Sequence, residues 1–169
     1  SLGDTAIVYE HGGWLYRFDL ATKQSSKIEV HINDDRAVGR GGLRDVSKTV
    51  TTFGVSPDGR RAVFGARGDV YTVPAKDGPP RNLTRTSGVH ERNAEWSPDG
   101  KWIACGSDAS GEDEIVILPQ DGRGAPQPVT TGGDSYKFYI VWSPDSKKIL
   151  WAARKQRLLY VDRESKQVK

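Results

Sequence analysis

The chain holds no methionine and a single cysteine, Cys105. One cysteine excludes an internal disulfide. Cys105 lies in the apolar stretch Trp102-Ile103-Ala104-Cys105 with no base marked beside it, so it reads as a small buried hydrophobe, not a nucleophile. No run approaches the ~20 apolar residues of a membrane-spanning helix, and a membrane is not an expected partner. No charged-then-apolar leader opens the sequence. An excess of one charge is also lacking: 25 Lys and Arg against 22 Asp and Glu leave +3. The two signs are mixed, with no basic stripe or acidic tail, so nucleic acid is not an expected partner either. Hydrophobic residues make up only 36% of the 169, against a usual ~45%. Burial must therefore rest on short alternating stretches and on the five Trp and six Tyr. The start in mid-pattern, Ser1-Leu2-Gly3-Asp4, leads to the expectation of a piece of a longer chain.

What is present is a repeat. Three segments align: Phe53-Gly54-Val55-Ser56-Pro57-Asp58-Gly59-Arg60, Ala94-Glu95-Trp96-Ser97-Pro98-Asp99-Gly100-Lys101 and Ile140-Val141-Trp142-Ser143-Pro144-Asp145-Ser146-Lys147. Their serines lie 41 and then 46 residues apart. Proline after the serine presets φ for a turn, the Asp side chain accepts backbone hydrogen bonds, and Gly59 and Gly100 supply a positive φ. Ser146 stands where the other copies have glycine, which should strain the turn or change its type. Each corner joins two strands, and a third and a fourth follow: Val70–Val73 with Arg81–Thr84, Ile115–Leu118 with Pro128–Thr130, and Leu158–Val161 with Lys166–Lys169. Near the N-terminus, Ala6–Tyr9, Leu15–Phe18 and Lys27–Val30 match strands two to four of another copy. Fifteen strands are expected. No stretch shows a 3.6-residue apolar period. The fold class is therefore all-β: β-propeller blades, each a four-stranded antiparallel sheet, about four in number, forming an incomplete propeller. Trp96 and Trp142 recur just before the corner and are expected to pack between blades.

The repeat is interrupted. From Val30 to Lys48 the chain is polar and rich in glycine and charge. Long connections of this kind are often functional or linkers. We expect residues 1–30 to be the partial last blade of one propeller, 31–47 a linker, and 48–169 the first three blades of a second.

Sites of chemistry are few. His11, His31 and His90 are too far apart in sequence for metal-ligand spacing, and no Gly-x-Ser-x-Gly elbow is present. The residues of Ser56-Pro57-Asp58-Gly59, Ser97-Pro98-Asp99-Gly100 and Ser143-Pro144-Asp145 are turn formers. Asp34-Asp35 reads as solvated linker, with a cation site as the alternative, and Gly39 to Gly42 follows no strand-to-helix turn that would cradle phosphate. Asp108, Glu112, Asp113 and Glu114 read as an acidic hairpin tip, with a calcium site as the alternative. No cofactor and no metal are expected.

The Ser-Pro-Asp-Gly blades resemble the WD-like repeats of the TolB and tricorn families. Two stretches sharpen the likeness to tricorn proteases. One is Lys27-Ile28-Glu29-Val30 running into Asn33-Asp34-Asp35-Arg36 and Asp45-Val46-Ser47-Lys48. The other runs from Gly65-Ala66-Arg67-Gly68-Asp69 to Arg81-Asn82-Leu83-Thr84 and His90-Glu91-Arg92-Asn93. These look like the junction of the six-bladed and seven-bladed propellers of that family, and the likeness covers nearly the whole chain. It implies propellers flanking a catalytic chamber and passing oligopeptides in and out. It also implies that the Ser/His catalytic groups lie in later domains beyond a PDZ module, so no catalytic residue carries over. The expected function is a non-catalytic segment of a serine peptidase, for peptide gating and assembly. Its partners would be oligopeptides and the remaining domains of the parent. Arg36, Arg40, Arg44 and Arg92 are the candidates to meet peptide carboxylates. The alternatives are a stand-alone TolB-like interaction propeller, or the propeller of another hydrolase such as a prolyl-oligopeptidase-like enzyme or an amidohydrolase. Uncovered blade faces make self-association or poor stability the expectation for the isolated chain, including a ring closed by two copies. The compartment is left open, with the cytoplasm favoured over the periplasm.

Overall fold

The computed structural model describes residues 3–31, 45–133, 135–154 and 156–169. It is all-β, with 14 strands and no α-helix among the described residues. The chain parts into two compact units, Ser1–Leu43 and Arg44–Lys169.

The first unit is one antiparallel sheet, β1 (Ala6–His11), β2 (Trp14–Asp19) and β3 (Ser25–Lys27). Gly12 and Gly13, both at positive φ (58° and 77°), close the tight hairpin between the His11↔Trp14 pair. Two consecutive left-handed residues match the twist of the flanking strands. None of its described residues is buried. Instead Tyr9 stacks on Tyr16 with ring centres 5.5 Å apart, and the Lys27 ammonium lies 3.0 Å from the Trp14 ring centre. Its last strand falls two residues earlier than the expected Lys27–Val30. Asp19 turns the chain sooner, accepting from the amides of Ala21 and Thr22 at 3.0 Å each.

The second unit opens with a short 3-10 turn at Ser47–Thr49. Three sheets follow. The first is β4 (Val50–Val55), β5 (Arg61–Ala66), β6 (Asp69–Pro74) and β7 (Arg81–Asn82). The second is β8 (Arg92–Trp96), β9 (Trp102–Ser107), β10 (Glu114–Pro119) and β11 (Gln127–Pro128). The third is β12 (Phe138–Trp142), β13 (Lys148–Ala153) and β14 (Arg157–Asp162). Each is an antiparallel meander in chain order. The expected fifteenth strand is reduced to a bridge, Val161↔Val168, beside which Tyr160 and Lys169 exchange backbone hydrogen bonds of 2.9 Å. The fourth strands β7 and β11 are shorter than the sequence suggests. Asn82 Oδ1 accepts from the amides of Thr84 (3.1 Å) and Arg85 (2.9 Å) and curls the chain away, and Pro128 has no N–H for a ladder.

The three corners share one hydrogen-bond plan. The serine hydroxyl donates to the Asp Oδ1 two residues on: 2.7 Å at Ser56, 2.6 Å at Ser97 and 2.6 Å at Ser143. The same hydroxyl oxygen accepts from the amide that starts the next strand: Arg61 at 2.9 Å, Trp102 at 3.0 Å and Lys148 at 2.8 Å. The carboxylates of Asp58 and Asp145 are held below their ordinary range chiefly by these serine hydroxyls. For Asp99 partial burial pushes upward, but the Ser97 hydroxyl and the Lys101 amide outweigh it. Ser146 does not change the turn. It takes φ 59°, close to Gly59 (67°) and Gly100 (69°), and its hydroxyl accepts the Asp99 amide of the neighbouring corner at 3.0 Å.

Two apolar cores lie between successive sheets, and β9 and β10 divide their side chains between them with period two. Ile103, Cys105, Val116 and Leu118 join Val63, Val70, Leu83, Ala94 and Trp96 on one side. Ala104, Ile115 and Ile117 join Ile140, Trp142, Ile149, Trp151 and Val161 on the other. Both recurring tryptophans thus pack between blades. The Trp142 indole also donates to the Glu95 carbonyl at 3.2 Å, whereas the buried Trp96 Nε1 has no partner. Cys105 is fully buried, and burial pushes its thiol far above the ordinary range. The inter-blade corner contact, the alternating cores and the contacts of β8 with both β4 and β12 set the sheets side by side as propeller blades.

Candidate functional site

Two places in the second unit gather exposed or charged side chains. The first is the groove formed by the leading strands. β4 breaks register between Val50 and Thr52, and β8 and β12 break it nearer their corners, at matching places between Arg92 and Glu95 and between Phe138 and Val141. Asn93 and Tyr139 stand in the left-handed region there, at φ 55° and 51°. A bulge re-aims a side chain, and Tyr139 emerges 79% exposed; Phe53, in regular register opposite Phe64, is 79% exposed as well. With Thr51, Glu95 and Val141 they line a groove of about 380 Å³. Glu95 lies at its wall, where desolvation raises its carboxyl above the ordinary range.

The second place is the end of the blades opposite the corners, where several polar side chains are buried. Asp69 and Glu114 open β6 and β10, and Thr84 and Thr130 follow the short β7 and β11. In both blades the threonine hydroxyl donates to the carboxylate: Thr84 to Asp69 at 3.0 Å, Thr130 to Glu114 at 2.5 Å. The hydroxyl oxygen accepts the following strand amide: Val70 at 3.2 Å, Ile115 at 2.8 Å. The second blade extends this pair. Glu114 also accepts from the Gly133 amide at 2.6 Å and is paired with the buried Lys137 ammonium at 3.4 Å. Lys137 donates through Nζ to the Asp113 carbonyl and through its amide to Asp113 Oδ2 at 2.7 Å. A Cβ on Gly133 would stand 2.5 Å from Lys137 Nζ and 2.9 Å from the Asp113 carbonyl, so a glycine is needed for this close approach. Glu91 lies nearby, buried, with Thr86 Oγ1 donating to both of its oxygens at 3.0 Å. Burial raises its carboxyl and the Asp69 charge adds to that, against the Thr86 hydrogen bond. Glu91, Glu114, Thr86 and Thr130 open onto a cavity of about 370 Å³.

Of the arginines singled out from sequence, Arg92 is held in this polar end. Its guanidinium pairs with Asp113 at 3.0 Å, donates to the Tyr136 hydroxyl at 3.1 Å, and lies 4.4 Å from that ring's centre. Arg36, Arg40 and Arg44 lie outside the described residues, as do Asp34, Asp35 and Gly39 to Gly42. The stretch read as an acidic tip divides: Glu112 is exposed, Asp113 and Glu114 are buried and bonded, and Asp108 accepts the His90 amide at 2.7 Å. His11, His31 and His90 are all exposed. Glu91 and Lys137 were not singled out from sequence. A signal existed for their surroundings: the carboxylate–threonine pairs recur at spacings of 15 and 16.

These features define the class: an open array of β-propeller blades with Ser-Pro-Asp corners. No protein-family model matches the chain. It is 30% identical over 170 residues, covering 96% of its length, to tricorn protease homolog 1 of Streptomyces coelicolor. It is 27% identical over 152 residues, covering 90%, to the tricorn protease homolog of Saccharolobus solfataricus. The chain spans only 16% and 13% of those proteins. Among solved structures, TolB from Acinetobacter baumannii matches 98% of the chain and 40% of its own, with TM-score 0.57 and 21% identity. The tricorn protease matches 95% of the chain and 15% of its own, with TM-score 0.51 and 22% identity. The chain is a tricorn/TolB-like propeller segment.

Proposed function

We propose that the chain is a non-catalytic part of a larger tricorn-like serine protease, in which its blades bind and admit oligopeptides and contribute to assembly. Residues 1–30 would then close one propeller, 31–47 would link, and 48–169 would begin the next. The observation that carries this reading is the groove along β4, β8 and β12. The register break in β12 turns Tyr139 outward beside Phe53 and Glu95, in a slot of about 380 Å³ that suits an extended peptide side by side with the strands. Exposed aromatic faces supply contact area with little side-chain entropy to lose. The relatives named tricorn protease homologs support the peptidase context. Arg36, Arg40 and Arg44 complete the proposal as contacts for peptide carboxylates.

The test is fluorescence anisotropy with a labelled oligopeptide library on the 169-residue chain, its Tyr139→Ala variant and an Arg36/Arg40/Arg44 triple-alanine variant. Saturable binding that weakens about tenfold in the Tyr139 variant is expected, in line with the ~1–2 kcal/mol of a truncated aromatic anchor. A peptidase assay of the same chain should read zero. Affinity unchanged by the Tyr139 substitution would discard the groove. A full reading frame without a protease domain would make the chain a TolB-like interaction module instead.

A further inference from the structure

We propose that the cavity at the end of the blades opposite the corners binds a primary ammonium group carried on a short apolar stem. The site is separate from the groove of β4, β8 and β12 and does not depend on that reading. Its size, about 370 Å³, lies at the small end of the ~300–1,000 Å³ range of ligand pockets. It therefore admits the end of a chain rather than an oligopeptide.

The charge inventory is unbalanced. Two carboxylates line the cavity, Glu91 and Glu114, and the Asp69 charge acts on Glu91 from outside the lining. Lys137 is committed to Glu114 and to the Asp113 carbonyl, and the Arg92 guanidinium to Asp113 and Tyr136. Glu91 is 4% exposed, and no cation lies within ion-pair distance of it among the described residues. Its hydrogen bonds are also thin. One Thr86 proton is shared between its two oxygens at 3.0 Å, and Ser107 Oγ stands 3.5 Å off. The Thr84 hydroxyl also lowers the Glu91 carboxyl, but its single proton has nearer acceptors in Asp69 at 3.0 Å and Asn82 at 3.3 Å. A carboxylate has about four acceptor sites, so capacity remains on the side that opens to the cavity. A buried carboxylate without a counter-charge is costly to maintain, and burial raises its carboxyl accordingly.

The rest of the lining selects the kind of cation. Among the described residues no three His, Cys, Asp or Glu side chains gather to hold a metal ion. Val116, Pro126 and Pro128 form an apolar wall, and the Ser110 and Thr131 hydroxyls stand at the rim. An ammonium brings three donors and no acceptor. It would give Glu91 its missing charge, give hydroxyl oxygens a donor, and lay its stem on Val116 and the prolines. The α-amino end of a peptide and a simple alkylamine share this chemistry.

Two-dimensional amide NMR titration of the 169-residue chain tests the proposal with three probes: trialanine amide, its N-acetyl counterpart and n-butylamine. The expected result is saturable binding of trialanine amide with shifts at Ser107, Gly133 and Thr130, and loss of about tenfold or more on N-acetylation. Comparable binding of n-butylamine assigns recognition to the ammonium and stem alone. Its absence beside peptide binding assigns it to a peptide end. Glu91→Gln, the same shape without the charge, should lose about tenfold or more, whereas Tyr139→Ala should lose nothing, which separates this site from the groove. Equal binding of the acetylated peptide overturns the proposal, as does the absence of saturable binding by either amine. The acetylation comparison needs no variant and so holds whether or not the Glu91 variant folds.

Discussion

Replacing Ser97 by alanine should destabilise the second unit by about 2 kcal/mol, and the same change at Ser143 should cost much less. Ser97 is 0% exposed, and its hydroxyl joins Asp99 Oδ1 at 2.6 Å to the Trp102 amide at 3.0 Å. Alanine leaves the Trp102 N–H without a partner at a site closed to water. An orphaned buried donor costs ~1–3 kcal/mol. Asp99 keeps the Lys101 amide at 3.1 Å, so its carboxylate is not stranded as well. At the third corner Ser143 is only half-buried and Lys148 is exposed, so water can replace the lost hydroxyl. Ser56, 6% exposed, should fall between. Urea denaturation followed by tryptophan fluorescence measures the three variants. With a slope of ~1–3 kcal/mol per molar, Ser97→Ala should lower the midpoint by about 1 M with the slope unchanged. The chain's repetition makes the comparison internal, because local sequence and hydrogen-bond plan are shared and only burial differs. Equal losses at the three corners, or a reversed order, would show that the serine–aspartate corner does not act through the buried amide.

At Ser146, alanine should destabilise more than glycine. Both lose the hydroxyl that accepts the Asp99 amide, but only alanine keeps a side chain at φ 59°, a conformation costing ~1 kcal/mol or more for a residue with a Cβ; differential scanning calorimetry ranks the two. Trp142→Phe should cost more than Trp96→Phe, because Trp142 gives up its bond to the Glu95 carbonyl while the Trp96 Nε1 has none to lose. Urea midpoints that favour the opposite order contradict this. Two opposed pH effects are expected. Asp58, Asp99 and Asp145 are held below their ordinary 3.8, so the stability they add is present above that value and is lost as pH falls through their lower folded values. Glu91 and Glu95 are raised above 4.5, so their contribution runs the other way: stability increases as pH falls from neutral through their folded values toward 4.5. Urea midpoints at neutral, mildly acid and strongly acid pH should pass through a maximum, and Glu91→Gln should flatten the neutral limb.

What could be read in the sequence was what is decided locally. A Ser-Pro-Asp corner carries its own donors and acceptors within six residues, so the strands that enter and leave it could be placed, and the tryptophans before it assigned to the inter-blade core. The fourth strands were overdrawn because their ends are set by side chains that compete with the ladder: Asn82 on the amides of Thr84 and Arg85, and Asp19 on those of Ala21 and Thr22. Ser146 was expected to disturb its turn. Its compensation comes from Asp99, 47 residues away, which no local reading contains. Glu91 and Lys137 were invisible for a related reason. An isolated charge in a polar connection reads as solvent-exposed, and only the packing of three connections against one another buries these two.

The two ends of the blades therefore do different physical work. At the corner end the same plan appears three times, each copy satisfied within itself or by the neighbouring corner, and this is enough to specify strand order and spacing. The opposite end departs from that economy. Its carboxylate–threonine pair recurs in two blades, but only in the second is it enlarged by Lys137, Gly133, Asp113 and Arg92. Burying ions in this way is seldom stabilising compared with an apolar substitute of equal size, and the two apolar cores already hold the sheets together. A charged group kept at a net cost where the fold does not require it is best explained by something that binds there. By that reasoning a charge-removing double substitution, Lys137→Met with Glu114→Gln, should leave the chain folded. Collapse of the fold in that double variant, measured by circular dichroism, would instead assign the buried ions to the architecture.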